Sequence, residues 1–462
     1  MTNMRRDFAI IPGETSIKEA IRLIERSGCD IGFALDGQGR YDGSVSTSEL
    51  RRLLISGVSE DDRIQGHPCA FGYAVRQTEL ESEEVIRDVL SDLTLKGVAH
   101  LPVLGEDGRI VDVLSLEDLQ HATAASRVAG PAGGRLRRIL IVGGAGYLGS
   151  VLTSRLLERG YVVRVLDNFL YGKRSLEQIP KTPALEVIEG DLRNIHTCVC
   201  ALDGVNAVVL LAAIVGDPAS KIRPRETIET NVIAAQALAA ACKHQCITRF
   251  LYASTCSVYG LGSSLLDEES ELSPVSLYAR TKIASEKMIL SMGDGYFAPT
   301  ILRMGTLYGH SPRMRFDLVV NTMTMHAFTE RRIRVFGGKQ WRPLLSVQDA
   351  AEAFIRCIEA DLGSVGNQVF NVGSDEQNYQ VENIAAAIAG TLGGVDVQHD
   401  NHSLDVRDYR VSFKKVRDVL GLRPADTVEA ASRMIHRNLA AGLIPDPTQK
   451  VYYNHYFDTT EE

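Results

Sequence analysis

A short apolar run, Ile139 to Val142, leads into Gly143-Gly144-Ala145-Gly146-Tyr147-Leu148-Gly149, and a helical pattern follows to Arg159. Strand, glycine-rich turn and helix in that order leave little choice of fold. Glycines at Gly143, Gly146 and Gly149 permit a tight turn, close approach of a pyrophosphate, and close packing of helix on strand. The helix N-terminus adds free N–H groups and positive potential. An acidic residue, Asp167, ends the next strand pattern, YVVRVLD, 18 residues past Gly149. A carboxylate there accepts from the adenosine ribose hydroxyls and repels a 2′-phosphate, so the expected cofactor is NAD rather than NADP. Lys173 and Arg174, a few residues on, would soften that preference.

Three more strand patterns follow with helical patterns between them: LEVIEGD, AVVLLAA and RFLYAS. Such alternation predicts an α/β fold, a doubly wound parallel (Rossmann) sheet with a smaller C-terminal substrate lobe. The longest apolar run, Ala207 to Val215, is far too short to cross a bilayer and fits a strand buried on both faces. At 462 residues the chain is long enough for two or three domains. Residues 122–137, beginning ATAASRVAGPAGG, read as a linker between an N-terminal part, 1–121, and a catalytic part, 138–456. Within the latter, the NAD-binding core is expected over about 138–300 and the substrate lobe mostly over 301–456.

The N-terminal part repeats itself with an offset of 69 residues, which links Gly28 to Gly97, Gly39 to Gly108, Arg40 to Arg109, Ser46 to Ser115 and Glu49 to Asp118. Each copy reads helix, apolar strand, Gly-Arg turn, strand, then Ser-x-x-acid opening a helix. This resembles a tandem pair of CBS domains, an α+β regulatory module. The resemblance implies that Ser115 and Asp118 hold a nucleotide's phosphate and ribose; Ser46 and Glu49 match less well, since Glu stands in place of Asp. Both pairs also suit helix caps, the serine and the acid forming a capping box.

Tyr278 and Lys282, in YARTK, are spaced to share one helix face. A free tyrosine, with a pKa of ~10, is too weak an acid to serve as a base at neutral pH. A lysine cation one turn away and a positively charged nicotinamide both favour the phenolate. The pair then serves as a general base with its tuner.

From Arg138 onward the chain resembles the extended short-chain dehydrogenases/reductases, the nucleotide-sugar epimerases and dehydratases, and especially the UDP-galactose 4-epimerase branch. GGAGYLG, LDNFLYGKRS, EGDLRN, STCSVYG and YARTK occur in that family's order over about 300 residues. The resemblance implies that Tyr147, Leu148 and Asn168 join the glycines and Asp167 at the cofactor, that Asp191 and Leu192 flank the adenine, and that Ala212 and Ala213 line the cofactor. Tyr278, Lys282 and Thr255 are the implied catalytic residues, with Tyr278 and Lys282 also at the cofactor, Lys282 on the nicotinamide ribose, and Thr255 on the reacting sugar hydroxyl. Arg342 and Arg407 match the phosphate-binding arginines, with Tyr409 at the same end. The segment SPRMRFDLVVN is expected over the nucleotide base. Thr306 departs from the Asn of the galactose epimerases.

The implied reaction is a redox-neutral inversion at C4 of a UDP- or other nucleotide sugar through a 4-keto sugar, with the CBS pair binding a regulatory nucleotide. The family's dehydratases carry Asp and Glu after the catalytic Thr, where this chain has Cys256 and Ser257. In a strand-like segment Cys256 would point away from the side that Thr255 faces. A 4-keto-sugar reductase using NAD(P)H, a dehydratase, and a nucleotide-sensing protein without catalysis are the competing readings. Net charge of −8 argues against nucleic-acid or membrane partners. No apolar leader core follows Met1, and eight scattered cysteines suit buried thiols of a cytoplasmic protein better than a metal site; Cys242 and Cys246 are expected one turn apart in a helix. Family resemblance further implies a homodimer or higher homo-oligomer, through helices bearing Thr227–Cys242 and Tyr278–Ser291.

Overall fold

In the computed structural model, which describes residues 8–28, 31–64, 74–81, 89, 100–115, 138–400 and 407–455, two units are separate: Met1–Ser126 and Arg127–Glu462. The larger is built on strands β1 (Arg138–Val142), β2 (Val162–Asp167), β3 (Leu185–Glu189), β4 (Ala207–Leu210), β5 (Arg249–Thr255), β6 (Ala298–Met304) and β7 (Gln368–Val372). They form one sheet in the order β7-β6-β5-β4-β1-β2-β3, and every pairing is parallel. Helices cover both faces, so the central strands are apolar throughout rather than alternating. Ile139, Ile141, Val209 and Leu251 pack on one side with helix α1 (Tyr147–Glu158). Leu140, Val142, Val208, Leu210 and Phe250 pack on the other, against Leu238 and Cys242 of the Ala235–His244 helix. Strand order reverses between β1 and β4, and a crevice opens at the carboxyl ends of these two strands.

Three expectations need adjustment. The apolar run 207–215 is strand only to Leu210; the N–H groups of Leu211 and Ala212 both turn to the Val142 carbonyl, at 2.9 and 2.8 Å, and the chain peels off along the crevice. The segment carrying Thr227–Cys242 is not one α-helix: Pro224–Ile228 and Ala235–His244 flank a π-helical stretch, Glu229–Ala234. That helix ends at His244, so Cys246 lies beyond it, with φ +55.

β6 crosses the expected core boundary near residue 300, and β7 returns to the sheet from within the lobe. The lobe is therefore drawn from several stretches of chain, before β6, between β6 and β7 and after β7, with Thr306–Tyr308, Trp341–Ser346 and Asn378–Gln380 as one small sheet and Leu261–Leu266 paired to Asp408–Val411 as another. Its own core joins Val320, Ile333, Leu344, Ile384 and Val428.

In the smaller unit the 69-residue offset is structural. Ala9–Pro12 pairs parallel with Ile31–Leu35, which pairs antiparallel with Tyr41–Ser46. Val75–Arg76, His100–Leu104 and Ile110–Ser115 repeat the arrangement. The register slips between Ala34 and Leu35 in the first copy and between Val103 and Leu104 in the second, again 69 apart. Gly39 and Gly108 share φ near +78. The copies meet at these turns, where the Tyr41 N–H donates to the Gly108 carbonyl at 3.0 Å. Ser46 caps the Thr47–Ile55 helix in a full capping box: its Oγ accepts from the Glu49 N–H at 3.2 Å, and Glu49 Oε2 accepts from the Ser46 N–H at 2.8 Å. The cap is thus the role visible for the first copy. Ser115 ends its strand opposite His100, while Gly97, Asp118 and the linker lie outside the described residues.

Candidate active site

The crevice holds a cavity of about 1120 Å³ lined by residues from both core and lobe. The glycine loop forms its floor. A Cβ on Gly143, whose φ is +92, would stand 2.6 Å from the Ala212 nitrogen, and one on Gly149 would stand 2.1 Å from the Gly143 carbonyl oxygen. Only glycine lets β1, α1 and the β4 loop approach this closely and present bare backbone to a ligand.

Asp167, at the end of β2, ties this loop together. Its Oδ2 accepts from the Ala145 N–H at 2.9 Å and its Oδ1 from the Phe169 N–H at 2.8 Å. Burial nevertheless pushes the carboxyl above its ordinary range, and donors such as ribose hydroxyls would favour its charged form. Lys173 is held by Glu189 at 2.5 Å and sits over the Phe169 ring rather than on Asp167. Asp191 is held low, first of all by the Arg193 side chain, and Asn168 Nδ2 lies 3.4 Å from it. Leu148, Leu192, Ala212 and Ala213 all line the cavity. Tyr147 lines it too, but its hydroxyl is engaged with the Gly309 carbonyl at 2.6 Å, and its own carbonyl accepts from Ser311 at 2.7 Å. The residue thereby straps the glycine-loop helix to the lobe.

The chemical end lies where β5 stops. Helix α2 (Leu277–Ser291), capped by Ser276, carries Tyr278 and Lys282 on its buried face. The Thr255 hydroxyl and the Tyr278 phenol line the same cavity, and Thr255 pulls the phenol down. Lys282 Nζ donates to the Ala253 carbonyl at 2.8 Å and stands 4.6 Å above the Tyr252 ring. Burial pushes the Tyr278 phenol up; Arg315 pulls it down and Asp217 pushes it further up. Burial lowers Lys282 from 10.5 to about 7. The protein alone thus keeps the Tyr278 phenol protonated and leaves Lys282 about half protonated at pH 7, and the positive nicotinamide is the charge that would favour a phenolate here.

A lysine depressed in the folded state costs stability. The cost is fully present below pH 7, where folded and unfolded forms are both protonated, and is relieved as pH rises toward 10.5. A Lys282→Met protein should therefore resist denaturant better than the parent at pH 7, and the gap should shrink at pH 9.5. A constant gap in denaturation midpoints would contradict this.

Cys256 does not face the cavity. Residues Cys256–Val258 form a 3₁₀ turn rather than more strand, and the thiol, 1% exposed, donates to the Arg303 carbonyl at 3.2 Å. Burial raises it far above the ordinary thiol range. Cys256→Ala should leave turnover within about twofold of the parent, since surrounding groups lose only a weak S–H donor. Ser257, by contrast, lines the cavity.

Arg342 and Arg407 both reach the cavity wall. Arg342 Nη1 also donates to the Arg407 carbonyl at 2.6 Å, which fixes the two loops together. Tyr409 is not on the wall: it is 2% exposed, packed on Tyr259, with Ser257 beside its hydroxyl. In Asp408–Val411 the period of two turns Tyr409 inward with Val411. The segment expected over the base divides. Ser311 and Arg313 reach the glycine-loop side, while Arg315 pairs with Asp317 at 2.7 Å. Thr306 lines the cavity.

Three further residues were not singled out from the sequence. Asn231, in the π-helical stretch, accepts from the Ile214 N–H at 2.8 Å and donates to its carbonyl at 2.9 Å, holding the β4 loop. Arg313 is 5% exposed, stacked 3.9 Å above Tyr171, and its Nε and Nη2 have no partner. A buried guanidinium of this kind beside the glycine loop fits a dinucleotide phosphate. Asp217 follows the turn after β4. Two arginines among Met314 and Phe316 are the sequence signal for the second; a Gly-Asp-Pro turn at a strand end is that for the third.

Residues 139–373 match the model of the NAD dependent epimerase/dehydratase family, and residues 3–56 and 80–125 match the CBS domain. An "Uncharacterized UDP-glucose epimerase YtcB" of Bacillus subtilis is 30% identical over 334 residues, 68% of this chain and 97% of that one. A dTDP-D-glucose 4,6-dehydratase of Mus musculus is 27% identical over 71% of this chain and 99% of that one. The solved structure of MoeE5 in complex with UDP-glucuronic acid and NAD is 25% identical, with a TM-score of 0.59, over 66% of this chain and 99% of that chain.

Proposed function

The chain belongs to the NAD-dependent epimerase/dehydratase family, and from that premise we propose that it is a nucleotide-sugar epimerase that inverts C4 through a 4-keto sugar. Its cofactor is NAD, which supplies reversible hydride removal from carbon when bound. The chain's own residues move the proton and hold the sugar. Tyr278 takes the proton of the C4 hydroxyl at its phenolic oxygen and later returns it. Thr255 orients that hydroxyl, and Lys282, fixed on the Ala253 carbonyl, supports the cofactor end of the same face. Arg342 and Arg407 grip the diphosphate while the ketose turns over.

The observation that carries epimerisation over dehydration is the wall after Thr255. Dehydration needs an acid and a base to remove water, and the next two residues are a thiol turned toward the Arg303 carbonyl and a serine hydroxyl. The test is a panel of UDP-, dTDP-, GDP- and CDP-sugars given to the purified protein without added cofactor and followed by NMR. A new epimer is expected. Product formed only from a keto-sugar with NAD(P)H, or release of a 4-keto-6-deoxy sugar, would overturn the reading.

The CBS pair, on this reading, binds a regulatory nucleotide, and an adenine nucleotide should change the rate of the full chain. The proposed dimer uses the helices that expose Ile228, Ile233 and Met288. Met288→Asp should lower the mass seen by light scattering.

A further inference from the structure

Asp217 is the feature of the cavity that the reaction scheme leaves unused. It lies just beyond β4, after the turn at Gly216 (φ +96), and Pro218 fixes the backbone behind it. Its Oδ1 is buried and has no hydrogen-bond partner. Its Oδ2 lies 3.7 Å from Arg407 Nη1, too long for a hydrogen bond. Tyr278 lines the same cavity, and the Asp217 charge pushes its phenol up. Asp217 thus shares one cavity wall with Tyr278, at the reacting carbon, and with Arg407, assigned to the diphosphate, and the group that joins those two ends of the substrate is the sugar ring.

We propose that Asp217 reads the sugar, accepting hydrogen bonds from its hydroxyl or amino donors and rejecting sugars that carry a carboxylate. The inference rests on the nucleotide-sugar reading and narrows its substrate class. The Asp217 side chain is 19% exposed and lines the cavity, so the open part of its carboxylate is what a ligand donor would meet, and a charged acceptor makes the stronger kind of hydrogen bond. A uronate would instead bring a second anion close to this carboxylate in a partly enclosed site, where like charges repel more than in water. Arg407 offsets only part of this, because its guanidinium also serves the phosphates.

The test uses the full chain with NAD. The tightest binder among UDP, dTDP, GDP, CDP and ADP is found by calorimetry, and its glucose and glucuronate conjugates are then compared on the parent protein, Asp217→Asn and Asp217→Ser. The parent should prefer the glucose conjugate by about tenfold or more, as repulsion between close, poorly solvated charges dictates. Both variants should narrow the ratio to about threefold, chiefly by gaining on glucuronate, with affinity for the nucleoside diphosphate unchanged. Equal affinities in the parent, or an unchanged ratio in folded variants, would overturn the role of Asp217 alone. If no nucleoside diphosphate or conjugate binds, the nucleotide-sugar reading falls, and this inference with it.

Discussion

Tyr278→Phe should lower turnover by about three orders of magnitude, within the range that a positioned general base contributes. The change removes one oxygen and little else. The ring stays packed in α2, Lys282 keeps its bond to the Ala253 carbonyl, and the glycine loop is untouched. NAD affinity, read by fluorescence titration, should stay within about twofold, because the missing atom acts on the sugar rather than on the cofactor's anchors. On the proposed mechanism, what disappears is the acceptor for the C4 hydroxyl proton. Thr255→Val should cost less, about tenfold to a hundredfold, since it orients that hydroxyl without taking its proton. The order of the two effects is the sensitive point. If Thr255→Val were as damaging as Tyr278→Phe, or if Tyr278→Phe kept a tenth of the activity, the phenol would not be the base.

The second large effect concerns stability. Glu286 and Arg303 form a buried ion pair behind the site, their side chains 3% and 7% exposed, with Nη2 of the arginine 2.8 Å from Oε2. Ser254, the neighbour of Thr255, also donates to Glu286. Arg303 Nη1 donates to the Tyr259 hydroxyl at 3.0 Å, and that hydroxyl donates to Asn371 at 2.8 Å. Arg303→Met strands a carboxylate in the interior and should cost about 3–5 kcal/mol of unfolding free energy. Adding Glu286→Leu should recover a good part of the loss, because the stranded charge then goes too. Denaturant unfolding of the parent, both single variants and the double variant gives the coupling directly. Additive losses would mean that the pair contributes only packing. The network also backs the end of β5, so the singles should slow catalysis more than their folded fraction explains.

How legible all this was depended on whether a residue's role is local. The glycine loop and the Tyr278–Lys282 pair are local patterns, one fixed by a turn and the other by helix spacing, and both stand where their patterns imply. Tyr409 was drawn to the phosphate end by its neighbours in DVRDYRVS, whereas strand alternation buries it with Val411. Cys256 faces away, as a strand would have it, but through a 3₁₀ turn and a bond to Arg303, 47 residues later. Asn231 escaped notice because the π-helical stretch breaks the 3.6-residue rhythm. Arg313 and Asp217 matter for what does not touch them, and a missing partner is visible only once the whole cavity is assembled.

The way the lobe is drawn from several stretches of chain carries an evolutionary consequence. One stretch follows β5, one runs between β6 and β7, which pair from Thr300–Gln368 to Met304–Val372, and one follows β7. A lobe threaded this way cannot be exchanged as a cassette, since no single pair of cuts removes it and leaves β7 on the sheet edge with Phe370 beside Leu302. New substrates have to be reached by single replacements on a fixed frame, at places such as Asp217, Thr306 and Ser257. The smaller unit is under no such constraint, because its strands pair only with each other. Control can be gained or lost by joining whole modules, while chemistry drifts one side chain at a time.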